Sequence, residues 1–247
     1  FIKKEEYYNS EPIFPLECLL DEDSGLVTLS HKTNPKERYN LYDYSYTSSN
    51  SSYSKKYWDD YAKDINKNFK EANNILEIGS NDGYLLSKLT LFNTVGVDSS
   101  SFISDIANSN GIKTICGTFS ENFSNKLKIN FSGFDLIIAN NVFNHANDPL
   151  DFARGVKNLL NDNGTFIFEV PYWLDTINDY RFDQIYHEHI SYFTVKSAKN
   201  ILETCGLYVY DVKYTEYHGG SIRIFCRKEL VAPNKSVKNQ IIKEEKA

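Results

Sequence analysis

The sequence has little or nothing of several features that mark other classes of protein. It contains no methionine, and its four cysteines (Cys18, Cys116, Cys205, Cys226) lack C-x-x-C spacing, so we expect reduced structural thiols. No apolar run approaches the roughly 18 residues of a membrane span. No basic-then-apolar segment resembles a secretory signal. These absences predict a globular protein of the cytoplasm with no membrane partner.

An excess of basic residues is also missing. The 247 residues include 27 Lys and Arg against 33 Asp and Glu, a formal net charge of −6. This balance argues against sequence-independent binding of nucleic acid through a basic surface. With 41% hydrophobic residues the chain can bury a full core. We therefore expect no nucleic-acid partner. We also expect a small-molecule substrate and a monomer or small homo-oligomer.

The composition changes along the chain. Residues 1–54 are polar and rich in Tyr, Ser and Asn, and we expect a small irregular segment that packs in part against the main domain. Residues 55–235 predict that main domain, which opens with an amphipathic helix. Residues 236–247 are charged and predict a helix that begins a linker. A chain that starts at Phe1 is expected to be a fragment or a trimmed product.

From residue 74 onwards short apolar runs alternate with amphipathic stretches, which is typical of βα units. The predicted strands are 74–78, 94–98, 113–116, 134–140 and 165–170; the predicted helices are 84–91, 101–108, 149–160 and one that Thr194 caps and that ends at Thr204. A turn cluster covers 161–164, and a final hairpin pairs 207–214 with 221–227. This order predicts an α/β fold with a doubly wound, Rossmann-like sheet, mostly parallel with an antiparallel terminal strand.

A glycine-containing turn follows the first strand of the predicted sheet. It consists of Glu77, Ile78, Gly79, Ser80, Asn81, Asp82, Gly83, Tyr84 and Leu85. The spacing E-x-G-x-x-x-G lacks the third glycine of the dinucleotide fingerprint, and no G-K-[ST] follows, so a pyrophosphate cofactor and a nucleoside triphosphate are disfavoured. Gly79 lets the backbone approach a ligand at the carboxyl end of the strand.

Polar side chains end the next strands at the same edge. Asp98, followed by Ser99, lies 19 residues after Gly79, where a carboxylate can accept both hydroxyls of a ribose. A ribose without a pyrophosphate is what S-adenosyl-L-methionine offers, and Asn140 and Asn141 provide amides for its other ends. Ordinary βα turns with turn-forming asparagines are the alternative interpretation. The combination predicts a methyltransferase that releases S-adenosyl-L-homocysteine.

The stretch 182–193 holds two of the five histidines, between the fifth strand and the next helix. A histidine titrates near neutral pH and can act as a general base. His187 and His189 would point in opposite directions in an extended segment, so at most one is expected to face a substrate. The pair could also bind metal with His145 or Glu188, but H-x-H alone is a weak metal motif, and we predict none.

A glycine pair occupies the turn of the predicted terminal hairpin. The turn reads His218, Gly219, Gly220 and Ser221. Two glycines are explained by a hairpin turn alone; the flanking histidine makes a substrate-facing loop the alternative. Arg223 could meet an anionic phosphate in a bidentate manner or lie in solvent. Tyr46, one of five tyrosines between residues 39 and 53, is a further candidate substrate contact.

Taken together, these residues resemble the nucleotide-sugar C-methyltransferases, enzymes of branched-chain deoxysugar biosynthesis. The matching segments are LEIGSNDGYLL (76–86), IIANNVFNHANDPLDFARGV (137–156), EVPY (169–172), FDQIYHEHISYF (182–193) and HGGSIR (218–223). The first indicates only a methyltransferase, whereas the YHEH and HGGS stretches together are specific to that family. The resemblance covers residues 12 to 240 or so and implies a class I methyltransferase fold with S-adenosylmethionine as cofactor.

The resemblance also implies a reaction. In that family a nucleotide-linked 4-keto sugar is deprotonated beside its carbonyl, and the enolate attacks the sulfonium methyl group. By resemblance His189 is the base, and His187 is the second candidate. Tyr186, Glu188 and His145 are then expected to orient the base or to stabilise the enolate. Carbon is not nucleophilic until a proton leaves, so this chemistry needs a base and donors to the enolate oxygen.

The amino-terminal part departs from the family pattern. Members carry a zinc module with two C-x-x-C pairs, but Asp21 and Ser24 stand at cysteine positions here and Cys18 is out of register. We therefore interpret 1–54 as a degenerate module and predict no structural zinc. Members also carry a second Rossmann-like domain after the methyltransferase, to which 236–247 would lead.

Two other functions are compatible with these residues. An O-methyltransferase of a saccharide or another small molecule would use the histidine stretch to deprotonate a hydroxyl. A non-catalytic, S-adenosylmethionine-binding partner subunit would explain the lost zinc ligands. The intact stretch from Tyr186 to His189 disfavours the partner subunit.

Overall fold

A computed structural model describes residues 13–40 and 46–247, so the predicted amino-terminal segment lies in part outside the described residues. The strands are β1 (Cys18–Leu20), β2 (Val27–Leu29), β3 (Asn74–Ile78), β4 (Asn93–Asp98), β5 (Thr114–Cys116), β6 (Phe134–Asn140), β7 (Leu160–Pro171), β8 (Ser191–Tyr192), β9 (Tyr208–Thr215) and β10 (Ser221–Arg227). The helices are α1 (Pro35–Asn40), α2 (Ser52–Asn68), α3 (Ser101–Ser109), α4 (Glu121–Lys128), α5 (Pro149–Leu159), α6 (Trp173–Asn178), α7 (Val195–Thr204) and α8 (Lys235–Glu244).

The main sheet has seven strands in the order β5-β4-β3-β6-β7-β10-β9. Strands β3 to β7 pair in parallel, whereas β10 is antiparallel to both of its neighbours. This topology confirms the predicted α/β fold with its mostly parallel sheet and antiparallel terminal strand. The antiparallel strand lies inside the sheet rather than at its edge, because β10 folds back between β7 and β9.

The winding of this sheet reverses between β3 and β6. These strands are neighbours in space, although β4 and β5 lie between them in the chain. At such a switch point the connections leave the carboxyl ends of the two strands in opposite directions and open a crevice, where α/β proteins bind ligands. The loops that follow β3, β4 and β6 therefore meet over one site.

Local sequence explains where the helices beside that site begin. Helix α5 begins at Pro149 because the Asp148 carboxylate accepts hydrogen bonds from the N–H groups of Leu150 and Asp151, and proline has no N–H to satisfy. Helix α7 begins after Thr194, whose hydroxyl accepts a hydrogen bond from the Ser197 backbone in a capping box. The predicted cap at Thr194 is confirmed.

Helix α2 covers the face of the main sheet below the crevice. It buries Trp58, Tyr61 and Ile65, as the spacing of its apolar residues predicted, against Ile75 and Ile138 of the central strands. Burial of a large apolar side chain stabilises a fold by about 1.5–3 kcal/mol. These contacts fix the start of α2, and the segment just before it, beside the carboxyl ends of the strands.

Two local predictions are wrong. The helix predicted over 84–91 is a single 3-10 turn, Leu86–Lys88, because the chain returns within a few residues to the start of β4. The turn cluster at 161–164 does not separate α5 from β7. It lies inside the strand, because Leu160 and Thr165 both pair with β6 and the residues between them bulge out.

A three-stranded sheet joins the amino-terminal segment to the histidine stretch. Strand β2 pairs in antiparallel fashion with β1 and β8, and the N–H of Leu29 donates to the carbonyl of Ile190 at 2.9 Å. Asp21 and Ser24, which the resemblance places at cysteine positions of the family, form a turn in which the hydroxyl and N–H of Ser24 donate to the Asp21 carboxylate. Residues 18–29 thus pack directly on the stretch that leads to β8.

All four cysteines are free thiols. Within residues 13–40 and 46–247, no group of three or more His, Cys, Asp and Glu side chains could hold a metal ion. In the same part of the chain, no helix has the length and apolar character needed to cross a membrane.

Candidate active site

The carboxyl ends of β3, β4, β5 and β6 open on a cavity of about 400 Å³. The loops after these strands form one wall, and parts of the amino-terminal segment and the histidine stretch form the other. Its charged side chains are acidic, namely Asp98, Asp148, Asp151 and Glu188, and no Lys or Arg lines the cavity in the described part of the chain. A cavity of this size and sign suits a small cationic ligand.

The turn after β3 brings the backbone close to this cavity. Gly79 has a φ of 70°, and its N–H donates to the carbonyl of Val97 at 2.7 Å. A Cβ at this position would overlap the side chain of Val142. Only glycine therefore fits between this turn and the loop after β6. Asn81, with a φ of 51°, lines the cavity beside it.

Asp98 lies at the end of β4 and lines the cavity together with Ser99. Its carboxylate accepts hydrogen bonds from the N–H groups of Asn81 at 3.0 Å and Ser100 at 2.9 Å, which hold both oxygens in place. Burial raises the pKa of this carboxyl, and the two N–H groups oppose the shift. A carboxylate oxygen can accept more than one hydrogen bond, so the geometry fits a ribose diol.

Buried acceptors without protein partners lie at the ends of β3 and β6. Asn140 and Asn141 line the cavity, and the side-chain oxygen of each is buried without a hydrogen bond. The amide of Asn140 donates to Glu77 Oε1 at 3.5 Å, and Glu77 Oε2 is also unpaired. Burial raises the pKa of Glu77 well above its usual value. Glu77 itself does not line the cavity, so the unpaired acceptors at the cavity are the side-chain oxygens of Asn140 and Asn141. The ammonium and adenine amino groups of S-adenosylmethionine are donors that these oxygens fit.

Several residues predicted to contact the cofactor support the loop instead of lining the cavity. These are Ser80, packed against Gly96; Asp82, which accepts from the Ser49 hydroxyl at 2.5 Å; Gly83, packed against Ile112; Tyr84, which donates to Asp59 at 3.2 Å; and Leu85, buried in the core. Asn81 also accepts from the N–H of Ser48 at 2.8 Å. The loop therefore fixes the segment before α2 over the cavity.

His189 is buried at the opposite wall, with 7% of its surface exposed. Its Nδ1 lies 2.9 Å from the carbonyl of Gln184, and its Nε2 lies 2.9 Å from the hydroxyl of Tyr186. A carbonyl only accepts, so Nδ1 carries the proton and Nε2 presents a lone pair. Burial lowers the pKa of His189 to about 4, and the imidazole is neutral at pH 7.

His145 stands beside His189, with 5.1 Å between ring centroids. Its Nδ1 lies 3.0 Å from the hydroxyl of Tyr39, and its Nε2 is buried without a protein partner. Burial, and then the charges of His189 and Arg38, lower its pKa well below the usual range. Arg38 also donates to the backbone carbonyl of His145 at 3.1 Å. Helix α1 thus orients this histidine from outside the main domain.

Of the other candidates in the histidine stretch, two line the cavity and one does not. Tyr186 is 39% exposed and lies at the cavity with Glu188, whose pKa is raised by burial. The side chain of His187 faces away, with Nε2 3.3 Å from the carbonyl of Pro15 and its ring edge against Phe14. The structure therefore groups His189 and not His187 with the cavity.

The candidates for substrate binding also divide. Tyr46 and His218 line the cavity. Gly219 and Gly220 form the turn behind His218, and the Ser221 hydroxyl donates to the carbonyl of Tyr217 at 2.9 Å. Arg223 is buried away from the cavity and pairs with Glu169 at 2.8 Å. A phosphate contact by Arg223 is not supported by this geometry, because the guanidinium is already bound to a carboxylate.

The comparison with known families decides the class of protein. Residues 52–212 match the family described as a methyltransferase domain. The chain belongs to this family. The match covers more than half of the chain, including the turn at Gly79, Asp98 and the loop after β6. S-adenosylmethionine-dependent methyl transfer, predicted from that turn, is thereby confirmed for the domain.

Relatives of this methyltransferase domain agree with the assignment. The C-methyltransferase NovU of Streptomyces niveus is 31% identical over 229 residues, which are 90% of this chain and 53% of that protein. This chain therefore spans about half the length of that relative. The PH0226 protein of Pyrococcus horikoshii has the same fold, with a TM-score of 0.60 at 16% identity over 78% of this chain and 99% of that chain.

A methyltransferase structure with S-adenosylhomocysteine shares the fold as well. The plantazolicin methyltransferase BpumL, solved with that product, gives a TM-score of 0.53 at 15% identity over 70% of this chain and 82% of its own. At this identity the likeness concerns the fold alone. The positions of the site residues rest on the geometry of this chain.

Some residues that line the cavity were not predicted from the sequence. They are Tyr39, Trp58, Gly117, Thr118, Phe119 and Gln184. Gly117 to Phe119 follow β5 at the carboxyl edge of the sheet, a position that could have identified them. Tyr39 and Gln184 act through contacts with histidines, and no motif in the sequence marks such contacts.

The main expected effect of Asp98→Ala is weaker cofactor binding. The loss of charged hydrogen bonds to a ribose diol corresponds to an increase in the dissociation constant of roughly 10- to 100-fold. Calorimetric titration with S-adenosylhomocysteine measures it, with thermal melting as a check on the fold. An unchanged affinity would count against the ribose contact.

Proposed function

We propose that this domain is a C-methyltransferase that acts on a nucleotide-linked 4-keto-deoxysugar through an enolate. The observation that carries the proposal is the environment of His189. This neutral base lies at the same cavity as Asp98, and the lone pair of its Nε2 is hydrogen-bonded to the Tyr186 hydroxyl. The C-methyltransferase name of the relative at 31% identity supports transfer to carbon. The sequence resemblance is the support for the sugar.

His189 is suited to remove a proton from carbon. The carbonyl of Gln184 fixes its Nδ1–H, so that only Nε2 can take a proton. In the proposed step the C–H bond beside the sugar carbonyl breaks, its electron pair forms the enolate, and the proton reaches Nε2 either directly or through the Tyr186 hydroxyl. The negative charge that develops next to the imidazolium raises its pKa during the step.

Groups around His189 can stabilise the enolate oxygen. The unpaired Nε2 of His145 and the hydroxyl of Tyr186 are polar atoms at the cavity, and Glu188, whose pKa is raised by burial, lies at the same cavity. Donors placed in advance around a developing oxyanion are usually the largest electrostatic contribution to such a step. When bound, S-adenosylmethionine supplies an electrophilic methyl group on a sulfonium.

The charge of the cavity indicates which part of the substrate enters it. Its charged lining residues are acidic, which suits a sulfonium and an uncharged sugar ring but not a diphosphate. We therefore place the keto-sugar ring between His189 and His218, with the nucleotide diphosphate outside the mouth. Transfer to a hydroxyl oxygen is the alternative function, since a neutral histidine could also deprotonate an alcohol.

Deuterium exchange separates these two functions. Nucleotide-linked 4-keto-deoxysugars are incubated with the protein in D₂O without methyl donor, and exchange beside the carbonyl is followed by mass spectrometry. C-methylation predicts exchange above the enzyme-free rate, which His189→Ala abolishes and His187→Ala retains. Methylation of oxygen predicts no enzyme-dependent exchange, and that result would contradict the proposal. Adding S-adenosylmethionine to a panel of such sugars then identifies the acceptor by a mass gain of one methyl group.

A further inference from the structure

The turn between β9 and β10 holds a cavity residue in an unfavourable backbone conformation. His218 has φ 49° and ψ 27°, and Gly219 and Gly220 follow with φ values of 75° and 131°. A left-handed conformation is easy for glycine and unfavourable for histidine. Non-glycine residues keep such a conformation only where surrounding contacts impose it. The contacts that impose it on His218 should therefore matter for the site.

These contacts come from one segment of the chain. The guanidinium of Arg181 donates to the carbonyl of His218 at 3.0 Å and also to the carbonyl of Gly219. The N–H of Tyr172 donates to the carbonyl of Gly220 at 3.0 Å. Successive carbonyls of the turn are thus held by residues 172–181. A Cβ on Gly219 would overlap the guanidinium, so glycine at this position leaves room for it.

Arg181 also reaches the other half of the site through its backbone. Its carbonyl accepts a hydrogen bond from the N–H of Gln184 at 3.1 Å, and the carbonyl of Gln184 in turn accepts from Nδ1 of His189 at 2.9 Å. The side chain of Arg181 therefore fixes the turn that presents His218, while its backbone supports the residue that orients the proposed base. Arg181 itself does not line the cavity.

We propose that Arg181 is a positioning residue. It holds His218 at the cavity and so fixes the position of His218 relative to His189 in the acceptor site. The identity of the acceptor in this role rests on the proposed function, whereas the contact between Arg181 and the turn does not depend on it. No hydrogen bond or ion pair joins Arg181 to the cofactor loops at Gly79 and Asp98. The loss of Arg181 should therefore affect acceptor binding and leave cofactor binding unchanged.

Arg181→Met removes the donors and keeps the length of the side chain. We expect the KM for the keto-sugar to rise by roughly 10- to 100-fold, the effect of losing charged hydrogen bonds, with kcat and the dissociation constant of S-adenosylhomocysteine within about twofold. Arg181→Lys keeps the charge without the planar fork and should restore only part of the loss. Arg154→Met, at an exposed arginine paired with Glu121, is the matched control and should change nothing.

A second measurement needs no substrate. Partial desolvation, and then the positive charge of Arg181, lower the pKa of His218. Arg181→Met should raise that pKa and move the imidazole signals of His218 in NMR spectra, assigned with His218→Gln. Arg181→Gln also removes the guanidinium and its charge, and it should give the same changes in the His218 signals. It also replaces Arg181→Met if that variant fails to fold.

The outcomes separate this inference from the proposed function. Unchanged His218 signals and an unchanged KM in a folded Arg181→Met variant would overturn the positioning role. Equal losses of cofactor and acceptor binding would also overturn it, because they would indicate a merely structural residue. If no keto-sugar is methylated but the His218 signals move as expected, the proposed function fails and the contact that positions His218 stands.

Discussion

His189→Ala is expected to retain S-adenosylmethionine binding and to lose turnover by about 10²–10⁴-fold, the usual contribution of a general base. The reason is the environment of its ring. Nδ1 is fixed by the Gln184 carbonyl, Nε2 is bonded to the Tyr186 hydroxyl, and 7% of the residue is exposed. No other histidine side chain in the described chain has both ring nitrogens bonded in this way.

His187→Ala is the matched control, because this neighbour faces Pro15 and not the cavity. It should keep nearly full turnover. Turnover of His189→Ala near the normal level, with the fold intact, would remove His189 from the mechanism. A large loss in His187→Ala together with normal His189→Ala would transfer the role of base to the second candidate.

The pH dependence of the same reaction gives an independent measurement. Burial lowers the pKa of His189 to about 4, so the neutral base is present above that pH and is lost as the pH falls through it. The acid limb of kcat/KM should therefore lie well below the usual histidine value of about 6.5. An acid limb centred near 6.5 would show that the base is a more exposed histidine.

Arg223→Met is expected to destabilise the domain by about 3–5 kcal/mol, the effect of breaking a buried ion pair on one side. Arg223 donates to Glu169 at 2.9 Å, and Glu169, with 0% exposure, also accepts from the hydroxyl of Tyr57. The guanidinium lies 3.5 Å from the ring centroid of Tyr61. Removal of the arginine leaves a buried carboxylate beneath helix α2 with only a phenol as partner.

Urea unfolding followed by circular dichroism measures this change. The double variant Glu169→Met with Arg223→Met removes both charges and should recover much of the lost stability, since an apolar pair often replaces a buried ion pair at little cost. Arg154→Met removes an exposed pair and should leave the unfolding midpoint almost unchanged. A small effect of Arg223→Met would contradict the assignment of Arg223 to the core.

The parts of the structure that could be predicted are those that local sequence determines. The buried run at 134–140 and the turn at Gly79 are recognisable because a parallel strand is continuously apolar and because only glycine fits the turn. Asp98 follows from its spacing to that turn. The cofactor half of the site is built from such short segments, so its position was predictable.

The half of the site that we propose to bind the acceptor depends on contacts between residues that are far apart in the sequence. The Tyr39 hydroxyl reaches His145, which is 106 positions away, and β2 pairs with β8 although β3 to β7 lie between them in the chain. The orientation of His187 away from the cavity and the burial of Arg223 also follow from packing, not from spacing. No pattern in the sequence encodes these contacts, and so the sequence left Arg223 as either a phosphate contact or a solvated strand residue.

The three-stranded sheet has a consequence for the modular design of such enzymes. The family match begins at residue 52 and ends at 212, yet Tyr39 and Tyr46 precede it and His218 follows it. The residues that we propose to face the acceptor therefore come from the two flanks and from one internal stretch, whereas the proposed methyl-donor half lies within the shared domain. Exchanging both flanks together between relatives is expected to transfer the acceptor specificity and to leave the cofactor site unchanged.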